Sequence, residues 1–152
     1  MKEVKQFNQL RLAEFMNRLD FFRVLRVEDK TVMIEKKLIA VRAYENGEAL
    51  INYGDSGSEF FMLMSGKADI LTEKGTKVAE VSPGKFFGEV AFVLNEKRTA
   101  SVIAHGDVIV MVLDNRTLDL MPVRVREQIK DKLISGLVQR VSDLNRKMEK
   151  LI

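Results

Sequence analysis

Eight of the nine glycines fall between Gly47 and Gly106 and divide that part of the chain into apolar runs too short for helices. Turn signals stand at Glu45-Asn46-Gly47-Glu48, Gly54-Asp55-Ser56-Gly57, Ser65-Gly66, Glu73-Lys74-Gly75, Ser82-Pro83-Gly84 and His105-Gly106-Asp107. The runs between them cover residues 49–53, 60–64, 67–72, 77–81, 101–105 and 108–113. Their length and spacing predict a sandwich or barrel of short strands over residues 38–114, a β-roll. Ala68 and Ile70 share one strand face and Ala79 and Val81 another, while Lys67, Asp69 and Glu80 point the opposite way, so one side of the sheet should line an interior.

Both flanks carry a different period. Val4, Phe7, Leu10, Leu12, Phe15, Met16 and Leu19 recur mostly at three- and four-residue spacing and predict a helix over residues 3–19. A second is predicted over residues 28–37, with Val32, Met33, Ile34 and Leu38 as its apolar stripe and Asp29 at the positive end of its dipole. After the roll comes a short helix over residues 115–121, then Pro122 opening a long helix to about Lys150, interrupted only by Gly136. Within it Leu137, Val141, Leu144, Met148 and Leu151 follow a 4-3-4-3 seam that either packs on the roll or pairs with a second copy. Arg124, Arg126, Lys130 and Lys132 at its start are expected to form a solvated face.

The 152 residues suit a single domain: N-terminal helices over 1–37, the roll over 38–114 and C-terminal helices over 115–152. Several function classes lose ground on composition. The net charge of +3 is too small to imply nucleic-acid binding, and the roll itself is net acidic. The longest uncharged run, residues 99–106, cannot span a bilayer and no targeting signal opens the chain, so a soluble protein with no membrane insertion is expected. With no cysteine and one histidine, His105, zinc hydrolysis, triad chemistry and haem ligation have too few ligands. No metal and no enzyme activity are expected, and His105, at a strand end, is given no role.

One segment breaks the strand pattern, Phe86-Phe87-Gly88-Glu89-Val90-Ala91-Phe92-Val93-Leu94-Asn95-Glu96-Lys97-Arg98-Thr99-Ala100-Ser101-Val102. Gly88 permits close approach of the backbone, and Glu89 to Val93 can form a helical turn whose free N–H groups face an anion. Arg98 can return over the same place as a planar fork for phosphate, with the Thr99 hydroxyl and the Ala100 N–H beside it. Glu89 suits such a site only if it turns aside to accept from hydroxyls, as on a ribose. A sugar phosphate fits this set. A plain helical connection, with Arg98 paired on the surface to Glu89 or Glu96, fits the spacing as well.

The wording F-G-E-V-A-F-V-L-N-E-K-R-T-A-S-V closely resembles the phosphate-binding cassette of the cyclic-nucleotide-binding domain family. Gly47-Glu48, the G-D-x-G of Gly54 to Gly57, F-F-M-L-M-S-G from Phe60 and P-G-x-F-F-G-E from Pro83 follow in the family's order, and the resemblance covers about residues 20–135. It implies an α+β, mainly β fold: an eight-stranded jelly-roll-like β-roll with N-terminal helices, a short cassette helix and a long C-terminal helix. It implies a regulatory sensor for cAMP or cGMP, with a slight lean to cAMP, that signals through the C-terminal helix. The cyclic phosphate would meet Arg98 and the N–H groups of the turn opening at Gly88, including Glu89 and Ala91, with the Ala100 N–H beside them, and Phe87 and Val90 belong to the same ligand-binding set. Glu89 would take the ribose 2′-hydroxyl, Thr99 the phosphate or a purine edge, and Ile70, Ala79 and Val81 the base. Lys97 departs from the small residue or proline that many members have before the arginine. The chain ends at Ile152, before the helix-turn-helix of members that regulate transcription, so direct DNA binding is not expected. The ligand is intracellular, which implies a cytoplasmic protein, and a homodimer through the 4-3 seam stands as one of two expectations, packing of that seam on the roll being the other. The competing function is a module that keeps the fold for protein contacts without ligand.

Overall fold

A computed structural model describes residues 1–151. The first strand, β1 (Lys2–Glu3), lies along the edge of β2 (Ile39–Tyr44), and the Val4 N–H donates to the Val41 carbonyl at 2.8 Å. Residues 3–8 are therefore not helical as their spacing predicts. Helix α1 (Gln9–Arg18) begins at Asn8, whose side-chain oxygen accepts from the Arg11 N–H, and turns Leu12 and Met16 into the core. After a 3-10 turn at Asp20–Phe22, α2 (Val27–Glu35) starts with Asp29 accepting from the Arg26 N–H at 3.2 Å. It ends at Glu35, and Lys37 just beyond lies in the left-handed region with φ 56°.

The strands are β3 (Ala49–Ile51), β4 (Glu59–Leu71), β5 (Lys77–Val81), β6 (Phe86–Phe87) and β7 (Ser101–Asp114), all antiparallel in one sheet. There are seven strands, not eight, among the described residues. Runs 60–64 and 67–72 are one continuous strand, as are 101–105 and 108–113, while β1 and β6 are short strands that lie outside the predicted runs. Gly66, at φ 87°, takes up register shifts within β4, and Gly106, at φ 79°, lies inside β7. Each glycine lets a strand carry on through an irregularity where a turn was expected. A Cβ on Gly66 would collide with the Asp107 carbonyl.

β4 and β7 pair along almost their whole length, and β2 and β3 pair with β7. Side chains alternate between two buried layers. Phe60, Met62, Met111 and Leu113 face a core shared with Phe22, Met33, Phe92, Val125, Ile129 and Leu133 of the helices and turns. Phe61, Leu63, Val110 and Val112 face the interior of the roll with Ala68, Val81, Phe87, Val102 and Ala104. Burial on both faces explains why these stretches read as unbroken apolar runs; fully burying a side chain of this size contributes about 1.5–3 kcal/mol.

Helix α3 (Glu89–Leu94) is the cassette turn, α4 (Asn115–Leu118) is capped by the Asp114 carboxylate, and α5 (Val123–Leu151) follows Pro122. Three of the four basic residues at the start of α5 are paired with carboxylates elsewhere in the chain, Arg124 while remaining exposed. Arg124 forks onto Asp29 at 3.0 and 3.1 Å, Arg126 reaches Asp119 at 3.1 Å and Lys132 reaches Asp20 at 3.0 Å. Val125, Ile129 and Leu133 bury α5 against the helical core, but Val141, Leu144 and Met148 are each more than half exposed. The seam therefore does not pack on the roll. No helix among the described residues is long and apolar enough to cross a membrane.

Candidate functional site

A cavity of about 760 Å³ opens between the cassette, strands β4 and β5, and the middle of α5. Phe87, Gly88, Glu89, Val90 and Ala91 line one wall, and Arg98, Thr99 and Ala100 another. Ile70, Ala79 and Val81 complete it from the sheet, where Ile70 pairs with Ala79 and Ala68 with Val81. All eleven residues singled out in the sequence thus meet at one place. The opposite face of these strands carries Lys67, Asp69, Lys77 and Glu80, linked by ion pairs.

Gly88 takes φ +79° and passes the chain from β6 into α3 without a side-chain cap. A Cβ there would come within 3.0 Å of both Arg98 and Ile51. Arg98 is only 8% exposed. Its Nη1 donates to the Gly88 carbonyl and its Nη2 to the Glu59 carbonyl, both at 2.8 Å, and the guanidinium lies 5.9 Å from the centre of Phe61, which stacks on Phe87. The surface pairing of Arg98 with Glu89 or Glu96 is not what the fold adopts. Arg98 makes no ion pair among the described residues, and its hydrogen bonds there go to carbonyls alone. Burial holds its pKa below the ordinary arginine value, with the Glu59 and Glu89 carboxylates opposing that shift.

Three residues missed by the sequence reasoning as parts of the Arg98 and Glu89 settings shape the site. Gly57 lies flat against the Arg98 guanidinium; a Cβ would stand 2.5 Å from Nη2 and 2.8 Å from Cζ. Its loop clasps Arg98 through the backbone, Asp55 accepting from the Arg98 N–H at 2.8 Å and Gly54 donating to the Arg98 carbonyl at 2.9 Å. Glu59 gives its carbonyl to Arg98 while Arg42 holds its carboxylate at 2.7 Å. Arg140 of α5 is the third, paired with the Glu89 carboxylate, which is 3% exposed. The G-D-x-G wording pointed to the loop, but no local signal marks Glu59 or Arg140.

On the outer face Asp69, Glu80 and His105 could offer ligand atoms within 4.8 Å of one another. Lys77 already fills that place, with its ammonium 3.1 Å from Asp69 and 3.0 Å from Glu80, so the cluster is built as an ion-pair network. His105 joins it through Asp69 at 3.2 Å.

Residues 41–121 match the family described as Cyclic nucleotide-binding domain. The cAMP-dependent protein kinase regulatory subunit of Mycosarcoma maydis is 41% identical over 71 residues, 45% of this chain and 14% of that protein. The cGMP-dependent protein kinase of Eimeria tenella is 26% identical over 119 residues, 78% of this chain and 12% of that protein. The chain thus spans about an eighth of the length of these relatives. Among solved structures, the regulatory domain of Toxoplasma gondii PKA, co-crystallised with cAMP, shares the fold with a TM-score of 0.74 at 20% identity, over 86% of this chain and 50% of that one.

Proposed function

Because the chain belongs to the cyclic nucleotide-binding domain family, we propose that it is a regulatory, non-catalytic sensor of a cyclic nucleotide, cAMP ahead of cGMP. The observation that carries this is Arg98, a guanidinium held in a cavity wall with carbonyls as its only hydrogen-bonding partners among the described residues. Burying a charge without a counter-charge is costly, and an anion entering the cavity would supply one. In this proposal the cyclic phosphate takes the remaining N–H groups of Arg98, the first-turn N–H groups of Glu89, Val90 and Ala91, and the Ala100 N–H. Glu89 accepts from the ribose 2′-hydroxyl. Thr99 faces the phosphate or a purine edge, Phe87 backs the sugar, and Ile70, Ala79 and Val81 pack on the base. The lean to cAMP draws support from the Mycosarcoma maydis relative, whose name carries cAMP.

Ligand binding would be transmitted through α5, which reaches the cavity at Arg140 and Lys147. A second copy of this chain is the proposed protein partner, joined through Leu137, Val141, Leu144, Met148 and Leu151, a 4-3 apolar row most of which lies in solvent.

A thermal melt with cAMP, cGMP and 5′-AMP, repeated on Arg98→Ala, tests the sensor function. Ligand at 100 times its Kd stabilises a fold by about 2.7 kcal/mol, a rise of roughly 5–10 °C at this size. One cyclic nucleotide should produce that rise in the parent protein, and Arg98→Ala should remove it. A cooperative melt unmoved by all three would instead favour a ligand-free interaction module.

A further inference from the structure

Glu59 opens β4, and its backbone carbonyl is one of the two that hold the Arg98 fork. Side chains alternate along a strand, so the Glu59 carboxylate is on the same face as Phe61, the ring over which the Arg98 guanidinium sits. Only the torsions of its own side chain separate that carboxylate from the guanidinium its carbonyl already touches. Burial lowers the Arg98 pKa, and of the two carboxylates opposing that shift Glu59 outweighs Glu89. An unpaired buried charge is costly, so a guanidinium in this place would take so near a carboxylate as its counter-ion. Arg98 does not, and Arg42 of β2 is the reason. Arg42 donates from Nη2 to Oε2 of Glu59 at 2.7 Å and from Nη1 to Oε1 at 3.4 Å, which engages both carboxylate oxygens. The pair is mostly buried, with the Arg42 side chain 22% exposed and that of Glu59 27%.

We propose that Arg42 is a positioning residue for the ligand: its two-point grip on Glu59 keeps that carboxylate from neutralising Arg98, so the charge of Arg98 is left for an anion entering the cavity. The inference rests on the sugar-phosphate function proposed above. Neither Arg42 nor Glu59 lines the cavity, so Arg42 touches no ligand and acts only through Glu59. Once Arg42 is removed, the Glu59 carboxylate has lost its partner beside a cation that has none, and the two pair. An incoming phosphate then meets a guanidinium that is already compensated, and it lies near an acid that repels it in a medium of low dielectric. The chain thus spends one arginine on β2 to keep another free in the cassette. Replacing the Glu59 carboxylate by an amide removes the charge that Arg42 restrains, so Arg42 should then cease to matter for the ligand.

A double-mutant cycle read by titration calorimetry of the intact chain tests this, with cAMP and cGMP as the probes and Arg42→Met, Glu59→Gln and the two together as the variants. A melt of each checks the fold, and Arg42→Gln takes the place of Arg42→Met if the latter does not melt cooperatively. Arg42→Met should weaken the nucleotide that the parent binds by about tenfold. Made in the Glu59→Gln protein, the same substitution should weaken it by less than about twofold. A loss of equal size in both backgrounds overturns the inference, because a structural support or a distant positive charge would act without Glu59. Unchanged affinity in Arg42→Met overturns it too. Both of these results leave the sensor function standing, whereas a parent that binds neither nucleotide removes the sensor function and this inference with it.

Discussion

Arg98 is positioned by backbone rather than by a carboxylate: two carbonyls hold its fork, and Gly57 supplies a flat surface against which the guanidinium lies. Gly57→Ala would place a methyl 2.5 Å from Nη2, and both the loop and the arginine would have to shift. Overpacking of this kind costs about 1–3 kcal/mol. Gly57→Ala is expected to lower the denaturation midpoint and, under the proposed sensor function, to weaken cyclic-nucleotide binding at least tenfold, roughly 1.4 kcal/mol, in titration calorimetry. Normal affinity in the variant would show that Arg98 does not need this seat. Glu89 and Arg98 were legible in the sequence because they sit in one contiguous cassette where glycine, carboxylate and arginine keep a short fixed spacing. Gly57 as the seat of the guanidinium, and Arg140 as the partner of Glu89, were not legible, because each is brought in by the fold from a distant part of the chain. Arg140 looks like any exposed cation of an amphipathic helix.

Helix α5 has two halves with different surroundings. Its first half is fixed by Val125, Ile129 and Leu133 beneath and by ion pairs to Asp20, Asp29 and Asp119 at its sides. Its second half leaves Val141, Leu144 and Met148 56–61% exposed. Two heptads make a weak coiled coil. Sedimentation equilibrium should therefore show a concentration-dependent monomer–dimer exchange in the parent and a monomer for Leu144→Asp, whose melt should match the parent's at concentrations where the parent is monomeric, because Leu144 is exposed. A parent that is monomeric up to high concentration would remove the second copy as the seam's partner. Element types were largely predicted by period: helices at both ends, strands between. The errors fell where a side chain or a glycine overrides period. Asn8 starts α1 late by capping it, and residues 2–4 join the edge of β2. At Gly66 and Gly106 the strand continues through what composition marks as a turn. The basic cluster at the start of α5 resembles a solvated face because its acidic partners lie on other elements.

Across the molecule, α5 is joined to α2 by the fork of Arg124 on Asp29. The hydrogen bond from Arg124, helped by the Arg26 N–H against the cost of burial, holds the Asp29 carboxyl below its ordinary value of 3.8. A carboxyl with a depressed folded-state pKa stabilises the fold fully above its unfolded value and loses that contribution as pH falls through the folded one. Melting temperature should fall as pH drops below about 4, and Arg124→Gln should start lower at pH 7 and fall less steeply over the same acid range. Parallel profiles for the two proteins would show that the pair does not couple the helices. β7 has a different kind of centrality. It is the last strand among the described residues, yet β2, β3 and β4 all pair with it, from Ile39 against Leu113 to Leu71 against Ser101. Until Asp114 has left the ribosome, the strands made before it lack the one that joins them, and only partial pairings such as β4 with β5 can form. Assembly of the sheet thus waits for β7 and is dominated by contacts between distant residues, the class of topology that folds slowly. Through that interval each apolar layer on β4 is incomplete, one lacking Met111 and Leu113 and the other Val110 and Val112.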